Sequence, residues 1–512
     1  MKSWSRKDFL KASLLGGGAA LFARSSLLYG QGSPAIATSG SANGDIRVAV
    51  VGIRAQGNGH IKTYVEDLKG TGVRLVALCD ADQEVLDKRV TEAANKGVKV
   101  TAYRDYRKLL EDKNVDAVVI ATPNHWHSLM TIWALQAGKD VYVEKPLSHN
   151  IWEGRQAVEF AHHATDRIVQ AGTQNRSSLD IPRAIEFVKS GQIGKITVAR
   201  GLCYKLRESI GKTSGPQAVP SSVDYNLWTG PADLVPPHRN GPRGGPIHYD
   251  WHWFWNYGGG DISNQGIHQM DVARWFLGEE YPASVMTYGG RFGIIDDAET
   301  PNTEVTVMHY KTAPLVFEVR GMPMKPGMTA MDAFRGTRVG VVIHCEGGYV
   351  TVGENGTCMV YDNDNKRIQS FTEQGLGNHR RNFVEAMKSR KQSMANGQIE
   401  NSHISSALCH IANVSYLVGA EKSNADLVKA IKSDKQAMEV HERFVAHLKA
   451  NNVEIDTTKI VTGPLLKFDA KSETFKGQGS LSDKANSNLL VKRVGRAEFK
   501  IPEYKRQAVA RT

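Results

Sequence analysis

Lys145 and His268 are the residues whose surroundings in the sequence best suit moving a proton. The lysine lies in Asp140-Val-Tyr-Val-Glu-Lys-Pro146, an apolar run that reads as a short buried strand delivering Glu144, Lys145 and Pro146 at its carboxyl end. In an open parallel sheet, ligands bind at that end. An ammonium drawn partly out of water there has a lowered pKa and exchanges a proton near neutrality. The histidine lies between Ser263 and Leu277, a stretch that reads as one helix with Asn264, His268 and Asp271 on one face at i, i+4 and i+7. Just before it, Tyr249-Asp-Trp-His-Trp-Phe-Trp-Asn-Tyr257 gathers aromatic rings of the kind on which sugar faces stack. Trp251, Trp253 and Trp255 alternate as an extended segment lining one side requires, with His252 among them. Core packing is the rival reading of these rings.

The elements that must position these residues begin at Ile46. Ile46 to Val51 is a β-branched run ending in a glycine turn, followed by a helix from about Ile61 to Lys69. Gly52, Arg54 and Gly57 match G-x-G-x-x-G in part, with Arg54 in the place of the middle glycine. Such a turn lets the backbone approach a pyrophosphate at a helix N-terminus. Val73 to Leu78 is a second strand ending in Cys79-Asp80. A carboxylate there suits the adenosine ribose hydroxyls and repels a 2′-phosphate, so NAD is expected over NADP, with Arg54 leaving NADP open. Val115 to Thr122 is a strand that runs into Pro123-Asn124-His125-Trp126-His127 and a helix from Ser128 to Ala137. Val85 to Lys96 and Ile151 to Thr165 read as helices and Ile168 to Ala171 as a strand. This alternation predicts a doubly wound parallel sheet. His125 and His127 raise a metal, but no nearby carboxylate or cysteine completes a ligand set. They are read as cofactor and substrate contacts.

Together, Gly52 through Gly57, Asp80, Thr122-Pro-Asn-His-Trp-His127, Glu144-Lys-Pro146 and Ala171-Gly-Thr-Gln-Asn-Arg176 resemble the Gfo/Idh/MocA family of oxidoreductases, over about Ile46 to Gly419. The resemblance implies a Rossmann domain over residues 45–173 and a C-terminal α/β domain over 174–440. The second domain would be built on a mainly antiparallel open sheet whose face covers the nicotinamide and helps form homo-oligomers. It further implies cofactor contacts from Gly52, Arg54, Gly57, Asp80, Thr122, Pro123, Asn124, His127, Glu144, Lys145 and Gln174. Catalysis falls to Lys145 and His268, and substrate contact to Asn264, His268, Arg176, Trp251 and His252. A cis bond before Pro146 belongs to the same pattern. Family dehydrogenases carry Asp-x-x-x-His where this chain has Asn264 and His268. Asparagine holds no imidazolium, so His268 is expected to titrate nearer its free value, roughly 6.5.

The remainder of the chain sets limits. A length of 512 residues exceeds one core. The net charge of +11 concentrates at the ends: residues 1–30 carry five basic residues against one acidic, and residues 481–512 carry eight against three. The middle is too close to neutral for a nucleic-acid surface. Five cysteines without CxxC spacing read as free and buried. Ser5-Arg-Lys-Asp-Phe-Leu-Lys11 and the apolar run to Phe22 resemble a twin-arginine (Tat) export signal over residues 1–37, with Lys7 replacing the second arginine; a Sec signal or an uncleaved anchor is the alternative. Residues 38–44 read as a linker. Arg207 to His248 is a loop-rich insertion whose histidines fit no metal motif, and no metal is assigned. Runs such as Glu304 to Tyr310 and Leu315 to Arg320 read as antiparallel strands, and Asn378 to Lys388 and Ile404 to Leu417 as closing helices. Residues 441–512 read as an extension in which Gly463 to Phe468 docks back and the basic tail after Leu481 is loosely ordered.

The sequence therefore points to an exported, periplasmic NAD(P)-dependent oxidoreductase acting on a sugar, glycoside or polyol hydroxyl and delivered by the Tat machinery. Free nicotinamide cofactor is not expected to be regenerated outside the cytoplasm, which favours a tightly bound one. The alternatives are a redox-neutral NAD-dependent glycosidase working through transient C3 oxidation, and a non-catalytic carbohydrate-binding protein.

Overall fold

The computed structural model describes residues 44–237, 245–373, 375, 377–477 and 487–504. The expected export signal lies outside them, as does nearly all of the expected linker. The first sheet is wholly parallel: β1 (Ile46–Val51), β2 (Val73–Cys79), β3 (Thr101–Tyr103), β4 (Ala117–Ile120), β5 (Asp140–Val143) and β6 (Val169–Ala171) lie in the order β3-β2-β1-β4-β5-β6. Helices α1 (Gln56–Lys62), α2 (Gln83–Asn95), α3 (Tyr106–Glu111), α4 (His127–Gln136) and α5 (Ile151–His163) connect the strands. Beyond Arg47 at the start of β1, the central strands β1 and β4 are apolar because both of their faces are covered. Local signals start the helices: Asp82 caps α2 and Asn150 caps α5, each accepting from a first-turn amide. The register is what matters for function. Val51 pairs with Cys79 and Ile120, Ile120 with Val143, and Val143 with Ala171. The residues that follow these ends, including Gly52, Asp80 and Glu144, therefore share one edge of the sheet.

After α6 (Asp180–Lys189) the chain enters β7 (Ile196–Tyr204), then the insertion with short helices α7 (Tyr225–Thr229) and α8 (Gly245–His248), and then α9 (Ile267–Leu277). Strands β8 (Ser284–Gly290), β9 (Thr303–His309), β10 (Leu315–Arg320), β11 (Val339–Cys345), β12 (Gly348–Gly353), β13 (Cys358–Asp362) and β14 (Arg367–Phe371) follow. Helices α10 (His379–Ser389) and α11 (Ile399–Leu417), β15 (Ala420–Lys422), α12 (Asn424–Ile431), α13 (Lys435–Ala450), β16 (Ile460–Thr462), β17 (Leu466–Asp469) and β18 (Thr474–Phe475) complete the described chain. These strands form a second sheet in which only β7 and β10 pair in parallel. The expected pairing of a Rossmann sheet with a mainly antiparallel sheet is thus observed. All five cysteines are free and buried, as expected.

Three features depart from the sequence reading. First, the expected open face is covered over β8 to β10. Alternate residues of β8 to β10 face opposite ways: Val285, Met308 and Phe317 join a core with α9 and α11, while Met286, Val307 and Val316 pack under Leu427, Ile431, Val440, Phe444 and Leu448 of α12 and α13. This chain's own helices occupy that part of the face. A boundary at residue 441 would fall inside α13. Second, α10 returns to the first domain, where Phe383, Val384 and Met387 complete the core beneath β1 and β5. Third, the tail after Leu481 is docked in part: Phe499 and Ile501 are each 1% exposed. The stretch from Gly463 does dock back, with β17 pairing with β8.

Phe444 tests the capped face. Truncation to alanine removes a buried ring between α13 and the sheet and should cost about 3–5 kcal/mol in denaturant unfolding. A loss too small to measure would show that α13 is not part of the core.

Candidate active site

The carboxyl edge of the first sheet and the start of α9 enclose a cavity of about 450 Å³. That is in the range of small-molecule and cofactor sites. One end is at Asp80, Asp82 and Arg104, and the other at Lys145, Asn264 and His268. At the first end, the glycine turn is fixed by close packing. Gly52 has φ +77°, and a Cβ on Gly57 would lie 2.0 Å from the Gly52 carbonyl oxygen, so neither position accepts a side chain. Asp80 accepts from the Ile53 amide at 2.9 Å and the Asp82 amide at 3.0 Å, which binds the end of β2 to the turn. Burial pushes its carboxyl up to about 6 against those two amides. The Arg54 side chain lines the cavity beside Asp80 and Asp82. Its carbonyl, with that of Ile53, is braced by Arg89, a residue the sequence reading did not single out.

The insertion lies across this end. Gln83 donates to the Ser222 carbonyl and Asp224 to that of Ala81, both at 2.9 Å, and His248 Nε2 lies 3.2 Å from Asp82 Oδ2. Leu227 and Trp228 of α7 thereby line the cavity beside Trp126 and Trp133. The Trp126 indole N–H donates to the Trp228 carbonyl at 3.0 Å. Only the contact between distant segments creates this wall, so no local motif announces it.

At the other end, Lys145 follows β5 and precedes a cis bond to Pro146, as the resemblance implied. Its Nζ donates to the main-chain carbonyl of Asn264 at 2.6 Å. Burial lowers its pKa. Glu144 faces the cavity, but its carboxylate accepts from Gln56 Nε2 and His60 Nε2, both at 2.9 Å. Burial pushes Glu144 up, yet these hydrogen bonds outweigh it and keep the group ionised. His127 borders the cavity with both ring nitrogens turned to carbonyls, Pro146 at 2.6 Å and Thr122 at 2.8 Å. It braces the loops that flank Lys145 and has no ring nitrogen left for a ligand. Thr122, Pro123, Asn124 and Gln174 also line the cavity.

The expected single helix from Ser263 begins instead as a π turn, Ile262–Gly266, before α9. The wider turn changes the phase. Asn264 and His268 reach the cavity, whereas Asp271 turns inward. Arg176, expected at the substrate, is bound to Asp271 by a two-pronged pair at 2.8 and 2.7 Å and lies against Trp275. It ties the Gln174 turn to α9 and is not at the cavity. His268 makes no hydrogen bond among the described residues. Burial, reinforced by the Lys145 charge, pushes it down to about 3, so the titration expected near its free value is not found.

The aromatic segment is also different from the expectation. Asp250–Trp253 is a 3-10 turn, so alternation does not apply. Trp251 and His252 line the cavity, stacked at 3.6 Å, together with Tyr249, which sequence reasoning missed. Trp253 packs under Arg207 and Trp255 beside Tyr416, both in the core. The His252 Nδ1–H donates to the Tyr249 carbonyl at 2.6 Å, which leaves Nε2 as an acceptor. Of the histidines that raised zinc, His238 lies outside the described residues. Among the described residues no three metal-binding groups converge.

Comparison with known proteins agrees with this geometry. Residues 46–173 match the Gfo/Idh/MocA oxidoreductase model for an NAD-binding Rossmann fold, and residues 182–290 match the model for the family's C-terminal α/β domain. An inositol 2-dehydrogenase of Salmonella typhimurium is 29% identical over 186 residues, 36% of this chain and 52% of that protein. A glycosyl hydrolase family 109 protein of Shewanella pealeana is 28% identical over 156 residues, 30% of this chain and 33% of that protein. The chain thus spans about half the length of the first relative and a third of the second. The WlbA dehydrogenase from Bordetella pertussis, solved with NADH and UDP-GlcNAcA, superimposes with a TM-score of 0.52 at 20% identity, over 72% of this chain and 95% of that one. At that identity the likeness is one of fold. Residues 46–173 and 182–290 thus match both domain models of the Gfo/Idh/MocA oxidoreductases, in chain order and on the expected two-sheet architecture.

Proposed function

We propose that this protein is an exported NAD-dependent oxidoreductase acting on a hydroxyl-bearing carbon of a sugar, glycoside or polyol. The observation that carries this reading is that two domains bring Lys145 and His268 to one end of a cavity whose other end is Asp80. The residues fit the cofactor. Gly52 and Gly57 leave no room for a Cβ at either end of the turn, and Asp80, fixed by two amides, faces the cavity where ribose hydroxyls would donate. A 2′-phosphate would meet that carboxylate, so NAD is favoured over NADP. Bound there, the nicotinamide supplies the hydride acceptor. His268, neutral by burial, accepts the substrate's hydroxyl proton. Lys145 stabilises the developing oxyanion, and its lowered pKa lets it share the proton. Trp251 and His252 offer a flat surface and an acceptor for a sugar ring.

The contacts between the insertion and residues 81–83 support a tightly held cofactor, because they lie across the adenosine end. A retained cofactor suits a protein outside the cytoplasm. The export half of this reading rests on the pattern in residues 1–37. A homo-oligomer would form on a surface other than the part of the sheet that α12 and α13 cover. A second reading, the redox-neutral glycosidase, is favoured by the likeness to glycosyl hydrolase family 109 proteins. Its first step is the same hydroxyl oxidation, so the same residues serve it.

Product analysis with a panel of polyols, aldoses and aryl glycosides separates the readings. A ketosugar marks the dehydrogenase and a released aglycone the glycosidase; no product, with binding alone, would overturn both. Lys145→Ala should lower turnover about 10²–10⁴-fold while leaving bound NAD in place, as read by mass spectrometry of the denatured protein. Wild-type turnover in that variant would remove Lys145 from the mechanism.

The pH dependence follows from His268. A base loses activity as pH falls through its pKa, so a group held down at about 3 leaves turnover free of a histidine limb across neutral pH. Asn264→Asp places a carboxylate nearby, stabilises the imidazolium and should bring that limb upward into the measurable range. A wild-type limb near 6.5 that His268→Ala removes would contradict this burial argument.

A further inference from the structure

The C-terminal segment 487–504 touches both walls of the cofactor cavity from behind. Arg496 donates from Nε to the Gly230 carbonyl at 2.8 Å, from Nη1 to Asn226 Oδ1 at 2.7 Å and from Nη2 to the Asn226 carbonyl at 3.0 Å. These contacts bracket Leu227 and Trp228, which form one cavity wall. Three residues later, Phe499 is buried against the adjoining wall, formed by Trp126 and Trp133. Its ring meets Trp126 edge-on at 5.3 Å and lies 6.4 Å from Trp133. Arg496 also lies 5.0 Å over the Phe499 ring, so the two grips are one unit. The segment is anchored at both ends. Arg493 donates to the Asn256 carbonyl at 2.9 Å, the Tyr504 amide donates to Gln156 at 2.7 Å, and the Tyr504 ring stacks on His163. Between the walls, the Gly230 backbone lies directly on the Trp126 ring, where a Cβ would come within 2.2 Å. The walls therefore cannot part without breaking the strap's contacts.

We propose that residues 487–504 are a strap that retains the dinucleotide. Arg496 is the positioning residue, holding the Leu227–Trp228 wall against Trp126 and Trp133 so that bound nicotinamide adenine dinucleotide does not exchange with solution. This rests on the dinucleotide reading of the cavity and goes beyond it, because it assigns retention to a segment outside both matched domains. It also makes retention separable from catalysis, since Arg496 makes its hydrogen bonds to Asn226 and Gly230 and none to Lys145 or His268.

The test uses the full-length protein. NADH is loaded, excess NAD is added, and release is followed by loss of energy transfer from the cavity tryptophans to the reduced nicotinamide. Arg496→Ala should release NADH about tenfold faster or more, the loss expected for charge-assisted hydrogen bonds. Arg496→Lys, which restores the charge and fewer contacts, should fall between. Phe499→Ala should act in the same direction. Independently of any ligand, Arg496→Ala should raise amide exchange in residues 225–230 while leaving β1 to β6 protected. Release as slow as wild type in Arg496→Ala, or unchanged exchange in residues 225–230, would overturn the strap. A wild type that binds no dinucleotide would instead overturn the cofactor reading, and the exchange measurement would then decide the strap by itself.

Discussion

The hydrogen bond from Lys145 to the Asn264 carbonyl is the constraint on which the candidate site depends, because it joins the two domains at the end of the cavity where we propose the reaction. It requires β5 to end at the right level, and the shared register of β1, β4, β5 and β6 sets that level. It also requires the lysine's neighbours to be immobile. Glu144 is fixed from one side by Gln56 and His60, and the Pro146 carbonyl from the other by His127. The Leu147 amide then donates to Ser406 of α11, so the strand's exit is bound to the second domain as well. Across the cavity, the π turn at Ile262–Gly266 presents the carbonyl, and the Arg176–Asp271 pair sets the helix that follows.

Burial gives these groups their chemistry. An exposed lysine and histidine would be a cation and a nearly neutral ring at physiological pH. Enclosed together, each is pushed toward its neutral form, and the lysine's charge pushes the histidine further. Asn264 does not oppose this, because it contributes no negative charge. An aspartate in its place would trade a neutral base for a charged pair, which changes the pH at which the site works without changing its shape.

Where a signal was periodic or local, it was legible in the sequence. The Rossmann half was readable because apolar runs alternate with amphipathic helices and each strand ends in a distinctive residue, such as Gly52, Asp80 or Lys145. His268 was readable from its helix. The misreadings share a cause. Trp253 and Trp255 seemed to follow strand alternation, but a 3-10 turn sent them into the core. Arg176 carried a motif position, yet its partner Asp271 is distant in sequence and claims it entirely. The capping of the sheet by α12 and α13 and the docking of Phe499 depend on contacts between remote segments, which local pattern does not encode. The neutral state of His268 was hidden for the same reason, since its enclosure requires both domains.

In the proposed reaction a substrate C–H would give its hydrogen to a nicotinamide bound in the cavity that Lys145 and His268 line. Isotope transfer tests it most directly. Purified protein carrying NAD is mixed with a polyol or glycoside deuterated at its carbinol carbons, quenched within a turnover, and its dinucleotide analysed by mass spectrometry. Deuterium is expected in the reduced nicotinamide of the wild type and none in Lys145→Ala. A converted substrate with an unlabelled dinucleotide would contradict it, because the chemistry would then bypass the cofactor.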